Sequence, residues 1–180
     1  MRRPEETAWF IALLFLSLAG SPSFCGAQSD STSSQKPDSV AIGSVLWARL
    51  DDVIGPVSAR YLVDAMHAAE KQHAAALVIE LDTPGGLDTS MRQIIKGILA
   101  SEVPVCVFVS PEGARAASAG VYIAYSSHVV AMAPGTNIGA ASPVAFGGGQ
   151  IDSTMASKMK NDAEAYIKSL ARLRGRNETW

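Results

Sequence analysis

The sequence predicts an α/β domain built on a mainly parallel sheet, and three observations carry that prediction. Ala75 to Leu81 and Val103 to Val109 are apolar runs of strand length, the pattern of strands buried in a sheet covered on both faces. The segments before and between them carry apolar residues at helical spacing. Strand and helix then alternate along the chain, which lays successive strands side by side with helical crossovers between them.

The elements follow in order. Ser44 to Leu50 reads as a first strand, and Pro56 to Gln72 as a helix with Ala59, Leu62, Met66 and Ala69 on one face. Ala75 to Leu81 is the second strand. Thr89 to Ala100 is a helix whose Met91, Ile94, Ile95, Ile98 and Leu99 follow the i, i+3, i+4, i+7, i+8 rule. Pro104 introduces the strand Val105 to Val109. A short apolar helix from about Ala117 to Tyr125 leads to a strand, Val129 to Ala133. Pro134-Gly135 turns the chain into Thr136 to Val144, which has little helical character, and Phe146 to Gln150 is glycine-rich. A long helix, Thr154 to about Arg174, shows Ala163, Tyr166, Ile167 and Leu170 on one face and ends before Gly175.

The 180 residues carry a net charge of −2, with no basic patch and no basic–aromatic interleaving, so nucleic acid is not the expected partner. Residues 1–27 read as an export signal. Arg2 and Arg3 precede the apolar run Trp9 to Ala19, and Cys25-Gly26-Ala27 offers small residues for a cut after Ala27. The run is shorter than the ~20 residues a membrane span needs, which argues against a retained anchor. Phe24 stands where a lipoprotein signal wants a small residue. Residues 28–39, rich in Ser, with Thr, Gln, Lys, Pro and Asp, read as a flexible linker, and residues 40–180 as the ordered domain. Cys106 lies inside a buried strand and is expected to act as a small apolar residue.

Two motifs carry chemistry. Asp82-Thr83-Pro84-Gly85-Gly86 sits at the carboxyl end of the second strand, where open α/β sheets bind ligands. Paired glycines there let backbone N–H groups approach a reacting carbonyl; the plain alternative is a Pro-Gly turn. The spacing is not that of a phosphate loop. Ala114-Arg115-Ala116-Ala117-Ser118-Ala119-Gly120 places a serine at a helix start, beside free N–H groups that can hold an oxyanion. Alone, such a serine is more often an N-cap, and Ala116 departs from the G-x-S-x-G elbow. A serine nucleophile needs a base. His67 and His73 lie on or just after the first helix, and His128 starts a strand at the expected opposite end of the sheet. Lys158 and Lys160 open the last helix. Two positions apart, they face different directions, so at most one can point at the serine. A Ser–Lys dyad needs an uncharged amine, a form that desolvation favours.

Four ordered blocks resemble the NfeD-type membrane-bound serine proteases, relatives of signal peptide peptidase A and more distantly of the ClpP protease. They are Val78 to Gly86, Gly113 to Gly120, Met132 to Ala141, and Lys158 to Ile167, with Arg174 to Trp180 also fitting. The resemblance implies a ClpP/crotonase-like spiral of β-β-α units and a serine endopeptidase of Ser–Lys type. It implies Ser118 as nucleophile, Lys158 as base with Lys160 as fallback, and Gly85, Gly86 and Ala119 as the oxyanion hole. It implies hydrophobic segments of membrane-associated proteins as substrates, a stomatin-like protein as partner, a homo-oligomer, and no metal or cofactor. Long members of the family continue into membrane helices and a small barrel domain. The chain is therefore expected to be C-terminally truncated, with membrane association supplied by the missing region and the domain on the periplasmic or outer face of the membrane.

Two rival readings use the same fold. One is a catalytically inactive scaffold of a membrane protein complex. The other is a crotonase-class enzyme acting on acyl-CoA, against which the export signal counts, because acyl-CoA is cytosolic.

Overall fold

The computed structural model describes residues 43–141 and 152–179. The expected export signal, the linker and the glycine-rich loop lie outside these residues. Four parallel strands form the main sheet in the order β1-β2-β3-β5: β1 (Val45–Asp51), β2 (Ala76–Asp82), β3 (Val105–Val109) and β5 (Val129–Met132). Helices α1 (Pro56–Lys71), α2 (Asp88–Ala100) and α3 (Ala119–Ser126) connect them, and α4 (Ser153–Leu173) follows.

Beyond the end of each main strand the chain makes a second, much shorter strand contact. Ile54 bridges Gly86, Thr83 bridges Ala116, and β4 (Arg115–Ala116) pairs in parallel with β6 (Asn137–Ile138). Long strand, short strand, helix is thus the repeating unit, clearest in β3-β4-α3. This is the expected spiral of β-β-α units, with second strands too short to show as runs in the sequence. The register carries β2 directly into Thr83 and Gly85-Gly86, and β3 through β4 into Ser118.

One face of the sheet is the core. Ala48, Leu50, Leu77, Ile79, Leu81, Val105, Val107 and Val109 are buried against Leu62 and Met66 of α1 and Ile94, Ile95 and Ile98 of α2. The alternation of these strands is that of a half-covered sheet. The expectation of cover on both faces does not hold among the described residues. On the other face Val45 and Trp47 are more than half exposed, and Val129 likewise. Trp47 meets Phe108 edge-on at 6.4 Å and its Nε1 donates to Glu80 Oε2 at 3.1 Å. Cys106 lies on this open face, half-buried rather than in the core.

Local signals set the helix ends. Pro56 occupies the first position of α1, and the Gly55 N–H donates to Ser58 Oγ at 2.8 Å. His73 takes the left-handed conformation after α1 (φ +50°), so that Ala74 N–H reaches Ala69 O and His73 N–H reaches Glu70 O. Gly175 does the same after α4, with Arg176 N–H on Ala171 O and Gly175 N–H on Arg172 O. Both are Schellman caps. Around the second, Arg174 donates to Ser126 O, and Arg176 to Tyr125 O and Ser127 O. These bonds pin the C-terminal end of α4 to the end of α3.

Candidate active site

The site is assembled at the carboxyl ends of β2 and β3. Thr83 is fully buried; its N–H donates to Arg115 O and its carbonyl accepts the Ala117 N–H, which ties the end of β2 to β4. Thr83 Oγ1 accepts the Gly85 N–H at 3.1 Å. Gly85 has φ +110°, a conformation that favours glycine, and its carbonyl accepts the Ile54 N–H. Leu87 N–H donates to Ile54 O. Both bonds of this bridge fall on the neighbours of Gly86, so the N–H of Gly86 points away from Ile54. A Cβ on Gly86 would meet Ile54 O at 2.1 Å, so only glycine fits there.

Ser118 is half-buried at the N-cap of α3, with φ +50° and ψ −114°. A serine in that region is strained, typically by about 1–3 kcal/mol. The surroundings hold it there: its N–H donates to Ala140 O at 2.8 Å, and its carbonyl accepts the Val121 N–H at 3.0 Å. Its side chain makes no cap bond to α3. Ser118 is thus the N-cap residue of α3 by position, and the expected side-chain cap is not made. Ala119 stands first in α3, where an N–H has no acceptor inside the helix. Gly120 lets the helix approach β2 closely; a Cβ there would lie 2.7 Å from Thr83 Cγ2.

Ser118, Gly85, Gly86 and Ala119 share a cavity of about 800 Å³. Its other walls include Leu87 and Met91 of the α2 region, Tyr122 of α3, Ala140, and Met159 and Tyr166 of α4, with the charged residues Asp88, Arg92 and Asp162. The Tyr122 and Tyr166 rings stack at 6.0 Å, and Arg92 lies 4.4 Å over the Tyr166 ring. Burial raises both phenols above the ordinary tyrosine range, so they line the cavity as neutral groups. Arg92 donates to Asp88 at 2.9 Å and to Asp162 at 2.7 Å. This cluster was not anticipated from the sequence. Its one local signal was the i, i+4 pair Asp88 and Arg92.

The structure brings together four of the five predicted site residues and leaves the fifth apart. Lys158 and Lys160 are both exposed, and the half-buried residue between them, Met159, is the one that lines the cavity. Lys160 lies in a neighbouring groove, 3.9 Å from Glu164. His128 stands at the opposite end of the sheet, as expected: its Nδ1 accepts the Val105 N–H at the start of β3. His73 caps α1. Among the described residues no three His, Cys, Asp or Glu side chains are grouped to hold a metal. No helix of the described residues is long and apolar enough to cross a membrane.

Comparison with known proteins gives this geometry a family. The family model for the NfeD1b N-terminal domain matches residues 45–179. Membrane-bound protease PH1510 of Pyrococcus horikoshii is 51% identical over 113 residues, covering 62% of this chain and 25% of the relative. Membrane protein NfeD1b of Bacillus subtilis is 38% identical over 86 residues, covering 48% of this chain and 19% of the relative. The chain thus spans about a quarter or less of these curated relatives.

Among solved structures, the 1510-N membrane-bound stomatin-specific protease with a serine replaced by alanine superposes with a TM-score of 0.71 at 42% identity. That match covers 77% of this chain and 68% of the other. The same protease with a lysine replaced by alanine, in complex with a substrate peptide, gives 0.70 at 41%, covering 77% and 64%. The architecture is the ClpP-like fold of that protease domain, and the chain belongs to the NfeD1b N-terminal domain family.

Proposed function

We propose that this domain is a serine peptidase of Ser–Lys type, with Ser118 as nucleophile and Lys158 as base. The observation that carries the proposal is the conformation of Ser118: a half-buried serine at positive φ, its hydroxyl making no cap bond to its own helix, packed on Gly85. The N–H groups of Gly86 and Ala119, which border the same cavity as Ser118, serve as the oxyanion donors in this reading. The Gly85 N–H is occupied by Thr83 Oγ1, so Gly85 serves by conformation and Gly86 by donation.

Peptide binds in extended form along Gly86 and the segment ending at Ala140 and Ala141, adding as a strand. Ser118 Oγ attacks the scissile carbonyl carbon and its proton passes to the Lys158 amine. The N–H groups of Gly86 and Ala119 hold the oxyanion, where one donor is typically worth ~2.7–4 kcal/mol of barrier. Collapse breaks the C–N bond, and the leaving amine takes the proton from the Lys158 ammonium. Water then attacks the acyl ester, gives its proton to Lys158, and Ser118 recovers one as it leaves.

Both lysines adjoin Met159, which faces the cavity. In the solved relatives the altered serine and lysine are forty-one positions apart; Lys158 and Lys160 follow Ser118 by forty and forty-two. That spacing supports a base from the first turns of α4.

Substrates are hydrophobic segments of membrane-associated proteins, a reading supported by the apolar walls of the cavity and by the stomatin specificity stated for the relative. A stomatin-like protein is the proposed partner. The domain works as a homo-oligomer on the periplasmic or outer face of the membrane after export.

The test is cleavage of an apolar peptide by the purified chain, with a scrambled polar peptide as control. Ser118→Ala abolishes cleavage, and Lys158→Ala reduces it by several orders of magnitude. Equal cleavage by wild type and Ser118→Ala overturns the assignment. Loss in Lys160→Ala with activity kept in Lys158→Ala transfers the base to Lys160. Absence of turnover in the wild type, with Ser118 unlabelled by a serine-reactive probe, favours the scaffold.

A further inference from the structure

The helix that carries both candidate bases is held by packing at one end only. In α4 the buried residues are Leu170 and Ala171, with Ala163, Tyr166 and Ile167 packed against the core beside them. From Ser153 to Asp162 every residue is exposed except half-buried Met159. An amphipathic helix takes its position from its buried face, so core packing fixes the second half of α4 and not the first. The polar bonds repeat this asymmetry. The Tyr122 hydroxyl reaches Ala163 O at 3.4 Å, and Arg174 and Arg176 secure the far end. Among the described residues, the one bond from Ser153–Asp162 to another element is that of Asp162 to Arg92.

Arg92 is built for that task. Asp88, one turn before it on α2, fixes the guanidinium through Nε at 2.9 Å, leaving the Nη2 nitrogen to Asp162 at 2.7 Å. The Tyr166 ring lies against its plane at 4.4 Å. A planar fork stacked and bonded on two sides sets direction as well as attraction. Asp162 lies one helical turn beyond Lys158, on the same side of α4.

We propose that Arg92 is a positioning residue for the peptidase reaction: through Asp162 it fixes the first turns of α4, the segment that carries the base. This rests on the Ser–Lys reading above. The pair is largely exposed, with side-chain accessibilities of 35% and 69%, so its contribution to global stability is small. Its effect falls on kcat, because a base displaced by about 1 Å costs on the order of 100-fold.

The experiment compares wild type, Arg92→Leu, Asp162→Asn, Arg92→Lys and the exchange Arg92→Asp with Asp162→Arg. It measures kcat and KM on an apolar peptide, thermal unfolding, and amide hydrogen exchange of residues 153–162 against 163–173. The expected result is a kcat lower by about tenfold or more in Arg92→Leu and Asp162→Asn. KM stays within about twofold and the melting temperature stays near that of wild type. Exchange accelerates in 153–162 and not in 163–173. Arg92→Lys, which lacks the fork, restores little; the exchanged pair, in which a guanidinium on α4 faces two carboxylates on α2, restores kcat and protection together. Unchanged exchange in Arg92→Leu overturns the inference, whether or not kcat falls, as does unchanged kcat in a chain that cleaves. A wild type that does not cleave refutes the peptidase reading alone, and the exchange arm still decides whether Arg92 fixes α4.

Discussion

Gly85 and Ser118 pack backbone against side chain: a Cβ built on Gly85 falls 2.5 Å from the Cβ of Ser118 and 3.0 Å from its Oγ. Nothing larger than hydrogen fits between the two motifs that the sequence placed more than thirty residues apart. The relationship makes Gly85→Ala a test of the site rather than of the fold. The new methyl must push Ser118 aside, and at φ +110° alanine is strained as well. The expected result is a fall in kcat/KM of about 100-fold or more, from displacement of the hydroxyl. It is accompanied by a stability loss of about 1–3 kcal/mol. Steady-state kinetics and urea unfolding check the two parts; wild-type kinetics would show that the contact does not set the hydroxyl.

The positive φ of Ser118 gives a second prediction. Glycine removes the steric cost that a side chain meets there, about 1–2 kcal/mol, and alanine does not. Ser118→Gly is therefore expected to be more stable than Ser118→Ala by about 1 kcal/mol, with both inactive. His73 supplies the control. It has the same φ in a Schellman cap far from the cavity, so His73→Gly should stabilise by a similar amount and leave cleavage unchanged. Chemical denaturation of the three variants measures this directly. Equal stability of the glycine and alanine variants at position 118 would mean that the serine conformation stores no strain.

Thr83 joins the two motifs from below. Its side chain is buried, and its hydroxyl is the acceptor for the Gly85 N–H. Thr83→Val keeps the shape and leaves that buried donor unpaired, at a cost of about 1–3 kcal/mol. Because the donor belongs to Gly85, kcat should fall together with stability. Thr83→Ser restores the hydroxyl and should recover most of both. Recovery of stability without activity in Thr83→Ser would separate the bond from the chemistry.

The main strands and helices were legible because each is long enough to show its period. The apolar runs of β2 and β3 and the stripe of α2 gave element type and order to within two residues. The short strands β4 and β6 were not legible, since two residues carry no periodicity; they are defined by what lies beside them, Thr83 and each other. Cover on both faces was inferred from the apolar content of β2, but Val78 and Cys106 sit in a lateral row with Trp47 and Val129 on an open face. The same composition serves a strand whose outward side chains pair with neighbours rather than with a second layer.

The glycine pair and Ser118 are each ambiguous alone, and the parallel register between β2 and β3 brings their ends together. The position of the lysines on α4 is not legible in the sequence, because the bond that ties their half of the helix to α2 joins Arg92 and Asp162, seventy positions apart.

His128 gives a prediction for pH. Burial lowers its affinity for a proton below the ordinary histidine range, and the charges of Arg174 and Arg176 add to the effect. Its Nδ1 accepts the Val105 N–H, a bond that requires the nitrogen unprotonated. The folded state therefore binds fewer protons than the unfolded chain, whose histidine titrates near about 6.5. The associated stability is complete above that value and is lost as pH falls through the lower folded value. Protonation places a third positive charge beside the two arginines that pin the end of α4 to α3. Wild type should lose melting temperature between neutral pH and the acidic side of 6.5, and His128→Gln should lose less over the same range. Added salt should narrow the difference by screening the arginine contribution. Since Ser118 lies at the other end of the sheet, a serine-reactive probe should label it equally well in both proteins at pH 7. A parallel loss of melting temperature in the two proteins would show that another group governs acid stability.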